Sequence, residues 1–467
     1  MIVENKHKPN TVFHIENTRM DKLFFPLSET GRIAIICQSL RIQALVILDL
    51  LFRNKSIALV NPIMAKGQID ILLRECNISA VVTDLDYLFD ETVLVYRLSK
   101  DKLQSDFSTN ERIETENYSI ELLDDNQDII IFSSGSSGRP KAVQLTVKQF
   151  KSAYNNSEKL LKYSEKDAWV LSLPLYHVSG FSILFRALYS HATVIIPQDF
   201  SSLAIESILI KHPITYISLV PAQLQHLINN NVVPPPTLKL TLLGGAAFEN
   251  DLVRQALNSG WQPAKVYGSS ETAAFITILF PEDFISNPNS VGKPLPNVSL
   301  RCERKGLLSD NEYGEIVARS ESLAKGYLNN IKQSSEKFVN GEYYTGDAGY
   351  IDDEGFLFIK ARLDDVINTG GEKVYPAEIN SALKSVDGIA DCATVGMPDS
   401  KWGSAVCSLV VLKKGFEIDE QSLKLQLREK LASFQIPKII YFADKIPYNE
   451  QGKIDRAIVL QILLKSI

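Results

Sequence analysis

RIAIICQSLRIQALVILDLLFRNKSIALVNP, residues 32–62, decides the architecture. RIAIIC at its start and SIALVNP at its end are short apolar runs of the kind that form buried strands, and IQALVILDLLF between them has the length of a helix. A strand, a helix and a second strand at this spacing predict a βαβ unit. The rhythm repeats. Strand candidates follow at AVVTD (80–84), DIIIFSS (128–134), WVLSLP (169–174), ATVIIP (192–197), ITYISLVP (214–221) and LTLLGG (240–245), with helical stretches between them. That alternation predicts an α/β fold of mixed, mostly doubly wound sheets.

After about residue 290 the texture changes to short β-rich pieces with frequent Gly and Asp, as in GEIVARS (314–320) and YYTGDAGYIDDEGFLFIKARLDD (343–365). This predicts a small, more antiparallel module at the end of a large domain, residues 1–363. Beyond it PAEINSALKSV, ATVGMP, SLVVLKK and LREKLASF alternate strand and helix, enough for a small α+β domain, residues 364–467, with the boundary at Leu363–Asp364.

The 467 residues exceed one typical domain of roughly 100–200 residues. A net charge of −6 argues against a nucleic-acid partner, which calls for a basic excess. The five cysteines, Cys37, Cys76, Cys302, Cys392 and Cys407, form no C-x-x-C pair, so neither a disulfide framework nor a zinc site is readable and a reducing compartment fits. MIVENKHKPN lacks the layout of a signal peptide, and no stretch approaches the ~20 apolar residues of a spanning helix. The expectation is a cytoplasmic protein without membrane insertion, acting on small molecules. Its oligomeric state is open, a homodimer included.

FSSGSSGRPK, residues 132–141, follows the apolar run DIIIF and precedes AVQLT, so it is a loop between packed elements rather than a linker. Gly135 and Gly138 permit positive φ. Backbone N–H groups and the hydroxyls of Ser133, Ser134, Ser136 and Ser137 can then face phosphate oxygens, and Lys141 supplies a charge. It is not a Walker loop, since no hydroxyl follows the lysine. By itself it is equally an ordinary polar turn.

Other motifs decide. SSGSSGRPK (133–141), YGSSET (267–272), YYTGD (343–347), ARLDDVINTGGEKVYPAEI (361–379) and QGKIDR (451–456) occur in the order found in the adenylate-forming family of acyl-CoA synthetases, adenylation domains and luciferases. The chain resembles that family from about residue 31 to its end. The resemblance implies a ligase that uses ATP, Mg2+ and coenzyme A: a carboxylate attacks the α-phosphate, pyrophosphate leaves, and a thiol then displaces AMP. Because two anions must meet, such catalysis rests on positioning and charge neutralisation.

By that likeness the loop 133–141 holds the departing phosphates, and Glu271 is the magnesium ligand, one carboxylate plus substrate phosphates being the usual magnesium pattern. Gly268 belongs to the same nucleotide motif, and Ser270, where most relatives have threonine, keeps the hydroxyl for a phosphate. Tyr267 stacks on adenine, with Gly244, Gly245 and Ala246 leaving room for the ring. Asp347 accepts from the ribose hydroxyls, and Arg362 reaches ribose or phosphate; Ala361 stands where relatives have glycine. Lys453 enters the site for adenylation and leaves for thioester formation as the small domain turns about Asp364. Gly370, Gly371 and Glu372 then line the channel for the thiol.

LPLYHVSGFSILFRAL, residues 173–188, bears on the acid. By the same likeness His177 belongs to the acid pocket. From Ser179 onward the pattern is helical, and Arg186, seven residues on, shares its face. An arginine amid apolar residues needs an anion, because an unpaired buried charge costs several kcal/mol. That anion is either a structural Asp or Glu or a second carboxylate on the substrate. H-x-S-G followed by arginine resembles members that take an aromatic dicarboxylate, with Ser179 and Arg186 on the ring carboxylate. Another acyl- or aryl-CoA synthetase, a stand-alone domain loading a carrier protein, and a non-catalytic nucleotide-binding relic are the alternatives. Before residue 31 the usual opening strand pattern is lacking.

The GKIDR context of Lys453 generates a test. Lys453→Ala should abolish adenylation and spare thioester formation from a supplied acyl-adenylate, measured as separate half-reactions; equal loss of both would assign the lysine a shared or structural role.

Overall fold

The computed structural model describes residues 12–15, 31–87, 89, 93–98, 112–113, 118, 120–133, 140–246, 248–303, 313–448 and 454–465. Two compact units divide the chain: residues 1–299 with 319–343, and residues 300–318 with 344–467. The β-rich module thus groups with the C-terminal residues, and the Leu363–Asp364 junction lies inside the second unit.

The first unit holds two eight-stranded sheets. In the first, the strand order is Val12–Ile15, Leu94–Leu98, Ile78–Thr83, Arg32–Ile36, Ile57–Leu59, Asp128–Ser133, Lys141–Thr146 and Gly326–Tyr327. All neighbours are parallel up to Asp128–Ser133, and the last two strands are antiparallel additions. The βαβ reading of residues 32–62 is correct in detail: Arg32–Ile36 and Ile57–Leu59 pair in parallel on either side of helix Leu40–Phe52. Strand Val12–Ile15, which the sequence did not announce, pairs with Leu94–Leu98.

Both faces of this sheet are buried, which explains why its strands read as continuous apolar runs. Ile33, Ile35, Ile57, Leu59, Ile129 and Ile131 pack with Ala44, Ile47 and Leu48 of helix Leu40–Phe52. Ala34, Ile36, Ala58, Val60, Ile130 and Phe132 face Ile69, Leu72 and Leu73 of helix Lys66–Glu75. The helix N-terminus at Ser39 is held by Asp84, whose carboxylate accepts from the N–H groups of Gln38 (2.8 Å) and Ser39 (2.9 Å). It satisfies two donors that would otherwise be buried at the turn.

The second sheet runs Lys293–Pro294, Phe275–Leu279, Pro263–Gly268, Leu240–Leu243, Tyr216–Leu219, Ala168–Val170, Thr193–Ile195 and Arg112–Ile113. Its five central strands, Pro263–Gly268 to Thr193–Ile195, are parallel, and the flanking strands are antiparallel.

In the second unit, Ser299–Glu303, Gly314–Arg319, Glu342–Ile351 and Leu357–Arg362 form one sheet. Glu372–Val374, Ile367–Thr369, Gly403–Leu412, Ile389–Asp399 and Ile439–Phe442 form another. Alternation along Gly403–Leu412 splits its side chains between two cores. Val406 and Val410 join Ile379, Leu383, Leu423 and Leu427, whereas Ala405, Cys407 and Leu409 join Val459 and Leu463 of helix Arg456–Lys465. LREKLASF is not the helix its composition predicts: the helix is Glu420–Leu427, about two turns earlier, capped by Asp419, whose side chain accepts from Ser422 N–H at 2.9 Å. None of the five cysteines is in a disulfide.

Candidate functional site

Parallel strands end at one edge of the second sheet, and three of the motifs leave from that edge. Gly244, Gly245 and Ala246 follow strand Leu240–Leu243, and Tyr267 and Gly268 close its parallel neighbour Pro263–Gly268. LPLYH follows Ala168–Val170 and leads into helix Val178–Ser190. The carboxyl ends of parallel strands are where α/β sheets bind ligands.

The glycines are there for contact. A Cβ on Gly244 would lie 2.7 Å from Val266 Cγ2 and 2.9 Å from Val266 O, and Gly245 has φ +87°. A Cβ on Gly268 would meet Ala274 O at 2.2 Å, where the pairing with Phe275–Leu279 shifts register. Lys265, two residues before Tyr267, anchors this strand. It is buried and donates to Asn250 Oδ1 (2.8 Å) and Pro288 O (2.5 Å), and burial pushes its pKa down to about 8. Nothing in the residues around Lys265 signals that it is buried.

Ser270 and Glu271 sit in a single 3-10 turn, Ser270–Thr272. Thr272 fixes the turn, accepting from Ser269 N–H (2.9 Å) and donating to Ala274 O (2.6 Å). Glu271 is 7% exposed, and its Oε1 accepts from the hydroxyl of Tyr327 at 2.9 Å. Among the described residues no lysine or arginine pairs with Glu271, and no cluster of three metal-ligating side chains exists. A lone buried carboxylate with one oxygen uncommitted fits Mg2+, which takes its remaining ligands from phosphates and water.

Ser133 and Lys141 are cross-strand partners in the antiparallel pair Asp128–Ser133 and Lys141–Thr146, so the serine-glycine stretch connects two paired strands. Ser134, Gly135, Ser136, Ser137 and Gly138 lie outside the described residues, as does Lys453.

His177 is the N-cap residue of helix Val178–Ser190, half-buried, its ring edge-on to Tyr176 at 4.7 Å. Gly180 explains the spacing of H-x-S-G. A Cβ there would fall 2.1 Å from Pro174 O and 2.4 Å from Leu173 O, so the helix starts directly on the backbone of LPLYH. Ser179 is exposed, whereas Arg186 on the same helix is 4% exposed. Among the described residues the arginine meets no Asp or Glu, and its Nε has no hydrogen-bond partner. Its guanidinium lies over the rings of Trp169 (5.0 Å) and Phe275 (5.5 Å), and burial lowers its pKa from the ordinary value.

In the second unit Asp347 and Arg362 are cross-strand partners joined by an ion pair, Nε to Oδ1 at 3.1 Å. Asp347 is buried, and its N–H donates to Thr345 Oγ1 at 3.0 Å. Asp364 is exposed in the 3-10 turn Leu363–Asp365. Ion pairs flank this turn: Lys360 with Glu378, and Asp365 with Arg456, the arginine of QGKIDR. Gly370 (φ +62°) and Gly371 (φ +90°) form the two-residue loop between Ile367–Thr369 and Glu372–Val374, a hairpin turn that needs positive φ at both positions. Glu372 is exposed beside it.

The profile of the AMP-binding enzyme family matches residues 31–328, and that of the AMP-binding enzyme C-terminal domain matches residues 378–453. The chain is 31% identical over 427 residues to the 2-succinylbenzoate–CoA ligase of Geobacillus sp. (strain WCH70), covering 88% of this chain and 87% of that protein. It is 33% identical over 364 residues to the enzyme of the same name from Bacillus subtilis (strain 168), covering 78% and 74%. Among solved structures, o-succinylbenzoate CoA synthetase from Bacillus subtilis in complex with the acyl-adenylate intermediate aligns with a TM-score of 0.80 at 27% identity, covering 92% of this chain and 88% of that one. Its complex with ATP and magnesium ion aligns with a TM-score of 0.80 at 28% identity, covering 92% and 89%.

The close approach at Gly180 has a measurable consequence. Gly180→Ala must push the helix start off Leu173–Pro174, at about 1–3 kcal/mol, and displace His177. We expect a lower Tm and a raised KM for the acid with an unchanged KM for ATP. An unchanged acid KM would separate His177 from the acid pocket.

Proposed function

The chain belongs to the AMP-binding enzyme family, and on that premise we propose that it is a 2-succinylbenzoate–CoA ligase of menaquinone biosynthesis. The succinyl carboxylate oxygen bonds to the α-phosphorus of ATP and pyrophosphate leaves; the sulfur of coenzyme A then bonds to the acyl carbon and AMP leaves. The buried Arg186 carries the choice of substrate. Its charge faces aromatic rings and no carboxylate among the described residues, so a dicarboxylate whose second carboxylate reaches it supplies the missing anion. Ser179 and His177, on the first turn of the same helix and just before it, complete the acid site in this reading.

Tyr267 with Gly244, Gly245 and Ala246 forms the adenine wall, Gly268 and Ser270 the turn beside the phosphates, and Asp347 with Arg362 the ribose contact. Ser133 to Lys141 holds the leaving phosphates. Magnesium, held by Glu271, neutralises phosphate charge when bound. Lys453 serves adenylation, and Gly370, Gly371 and Glu372 the thiol. The boundary between residues 1–363 and 364–467 is the hinge, at Asp364. Among the described residues no helix is long and apolar enough to cross a membrane; free ATP and coenzyme A as substrates fit a cytoplasmic location.

Two expected outcomes follow from this assignment. Asp364→Pro should slow thioester formation far more than adenylation, because proline fixes φ where rotation is needed; a wild-type second half-reaction would move the hinge elsewhere. Arg186→Ala should raise the KM for 2-succinylbenzoate by roughly thirty-fold to several thousand-fold, the about 2–5 kcal/mol of losing one partner of a desolvated pair, with the KM for ATP unchanged. Arg186→Lys should recover only part. The control is 3-benzoylpropionate, the same acid without its ring carboxylate, for which wild type and Arg186→Ala should be alike. Lower Tm with normal kinetics for 2-succinylbenzoate would make Arg186 structural.

A further inference from the structure

Residues 324–329, AKGYLN, lie along strand Lys141–Thr146 and tie two candidate catalytic groups together. Lys325 N–H donates to Gln144 O (2.9 Å) and Leu328 N–H to Ala142 O (2.8 Å). Asn329 brackets Lys141: its Oδ1 accepts from Ala142 N–H at 3.1 Å and its Nδ2 donates to Pro140 O at 3.4 Å. Tyr327 stands opposite Val143, which makes Lys141, two residues earlier on the same strand face, its diagonal neighbour. The lysine Nζ lies 5.3 Å from the centre of the Tyr327 ring, within cation–π range.

The same segment grips Glu271 twice. Ala324 N–H donates to Glu271 O at 2.8 Å, and the Tyr327 hydroxyl donates to Glu271 Oε1 at 2.9 Å. Tyr327 cannot swing away. It is 4% exposed, its ring is edge-on to Phe338 at 5.7 Å, and its N–H donates to Ser334 Oγ at 2.8 Å.

We propose that Tyr327 is a positioning residue for adenylation, its hydroxyl orienting the Glu271 carboxylate for the metal while its ring face sets Lys141 toward the phosphates. The inference rests on the reading of Glu271 and Lys141 above. A carboxylate offers two oxygens; the phenol engages one in a charge-assisted hydrogen bond and fixes the direction of the other. Partners of this kind, one bond removed from a metal, orient its ligand. The lysine and the carboxylate are held in place before ATP arrives, so less reorganisation remains for the reaction.

The test compares wild type, Tyr327→Phe, Tyr327→Leu and Glu271→Gln. Binding of α,β-methylene-ATP is titrated calorimetrically at increasing Mg2+, without turnover, beside Tm and pyrophosphate release. Tyr327→Phe keeps the ring and its packing. It should need about 10–100-fold more Mg2+ for half-saturation, recover its kcat at high Mg2+, and leave the KM for the acid unchanged. Tyr327→Leu should in addition weaken binding of the analogue without Mg2+, since Lys141 loses the ring; if it fails to fold, Tyr327→Phe still decides. A wild-type Mg2+ dependence in Tyr327→Phe, with Glu271→Gln shifted, would overturn the role of Tyr327 alone. A wild-type Mg2+ dependence in Glu271→Gln would remove the metal reading beneath it.

Discussion

Parallel pairing is the constraint on which the first unit depends. Two neighbouring parallel strands require a crossover that carries the chain back to the starting edge, so Ala168–Val170, Tyr216–Leu219, Leu240–Leu243 and Pro263–Gly268 all finish at the same edge. The loops that follow them must leave there together. LPLYH, GGA and YGSSE are far apart in sequence and become neighbours through nothing more than strand direction. Chemistry that must gather an acid and a nucleotide gains its meeting place from this topology before any side chain is chosen.

Holding those loops still is a second task, and backbone contact does much of it. Gly180, Gly244 and Gly268 each sit where a Cβ would overlap a neighbouring backbone or side-chain atom. The loops therefore pack main chain against main chain, where side-chain rotamers contribute no freedom. Polar anchors complete the arrangement. Lys265 ties the Tyr267 strand to Asn250 and Pro288, and Thr272 closes the turn that carries Glu271. Such fixed surroundings are what electrostatic catalysis needs, because groups already in place cost nothing to reorient when charge moves.

Most of this architecture was legible in the sequence, for an identifiable reason. Strands buried on both faces carry continuous apolar runs, Ile33 to Ile36 and Ile129 to Phe132, that cannot be mistaken for surface segments. Gly370 and Gly371, read from the sequence only as lining the thiol channel, turn out to be a hairpin turn with positive φ at both positions. What escaped was set by tertiary contact. Val12–Ile15 is a strand because Leu94–Leu98 offers it an edge, and nothing in VFHI alone requires that. LREKLASF has helical composition, yet the cap at Asp419 starts the helix earlier and spends its length before that segment. Tyr327 and Lys265 are ordinary residues in sequence; only a partner more than fifty residues away for one, and a carbonyl on another loop for the other, gives them a role.

Arg186 shows how magnitudes choose between a structural and a functional charge. Taking a guanidinium out of water costs several kcal/mol even after relaxation. Each aromatic face returns about 0.5–2 kcal/mol, so Trp169 and Phe275 together offset the penalty only in part. A purely structural arginine closes that gap with a carboxylate or with backbone carbonyls, and among the described residues Arg186 has neither. In the proposed reading, the remaining deficit becomes favourable binding energy for an anion that arrives with the substrate. An anion remote from the reacting carboxyl group can spend that energy on placing the group rather than on the bond change itself, which is where a ligase that must bring two like charges together gains most.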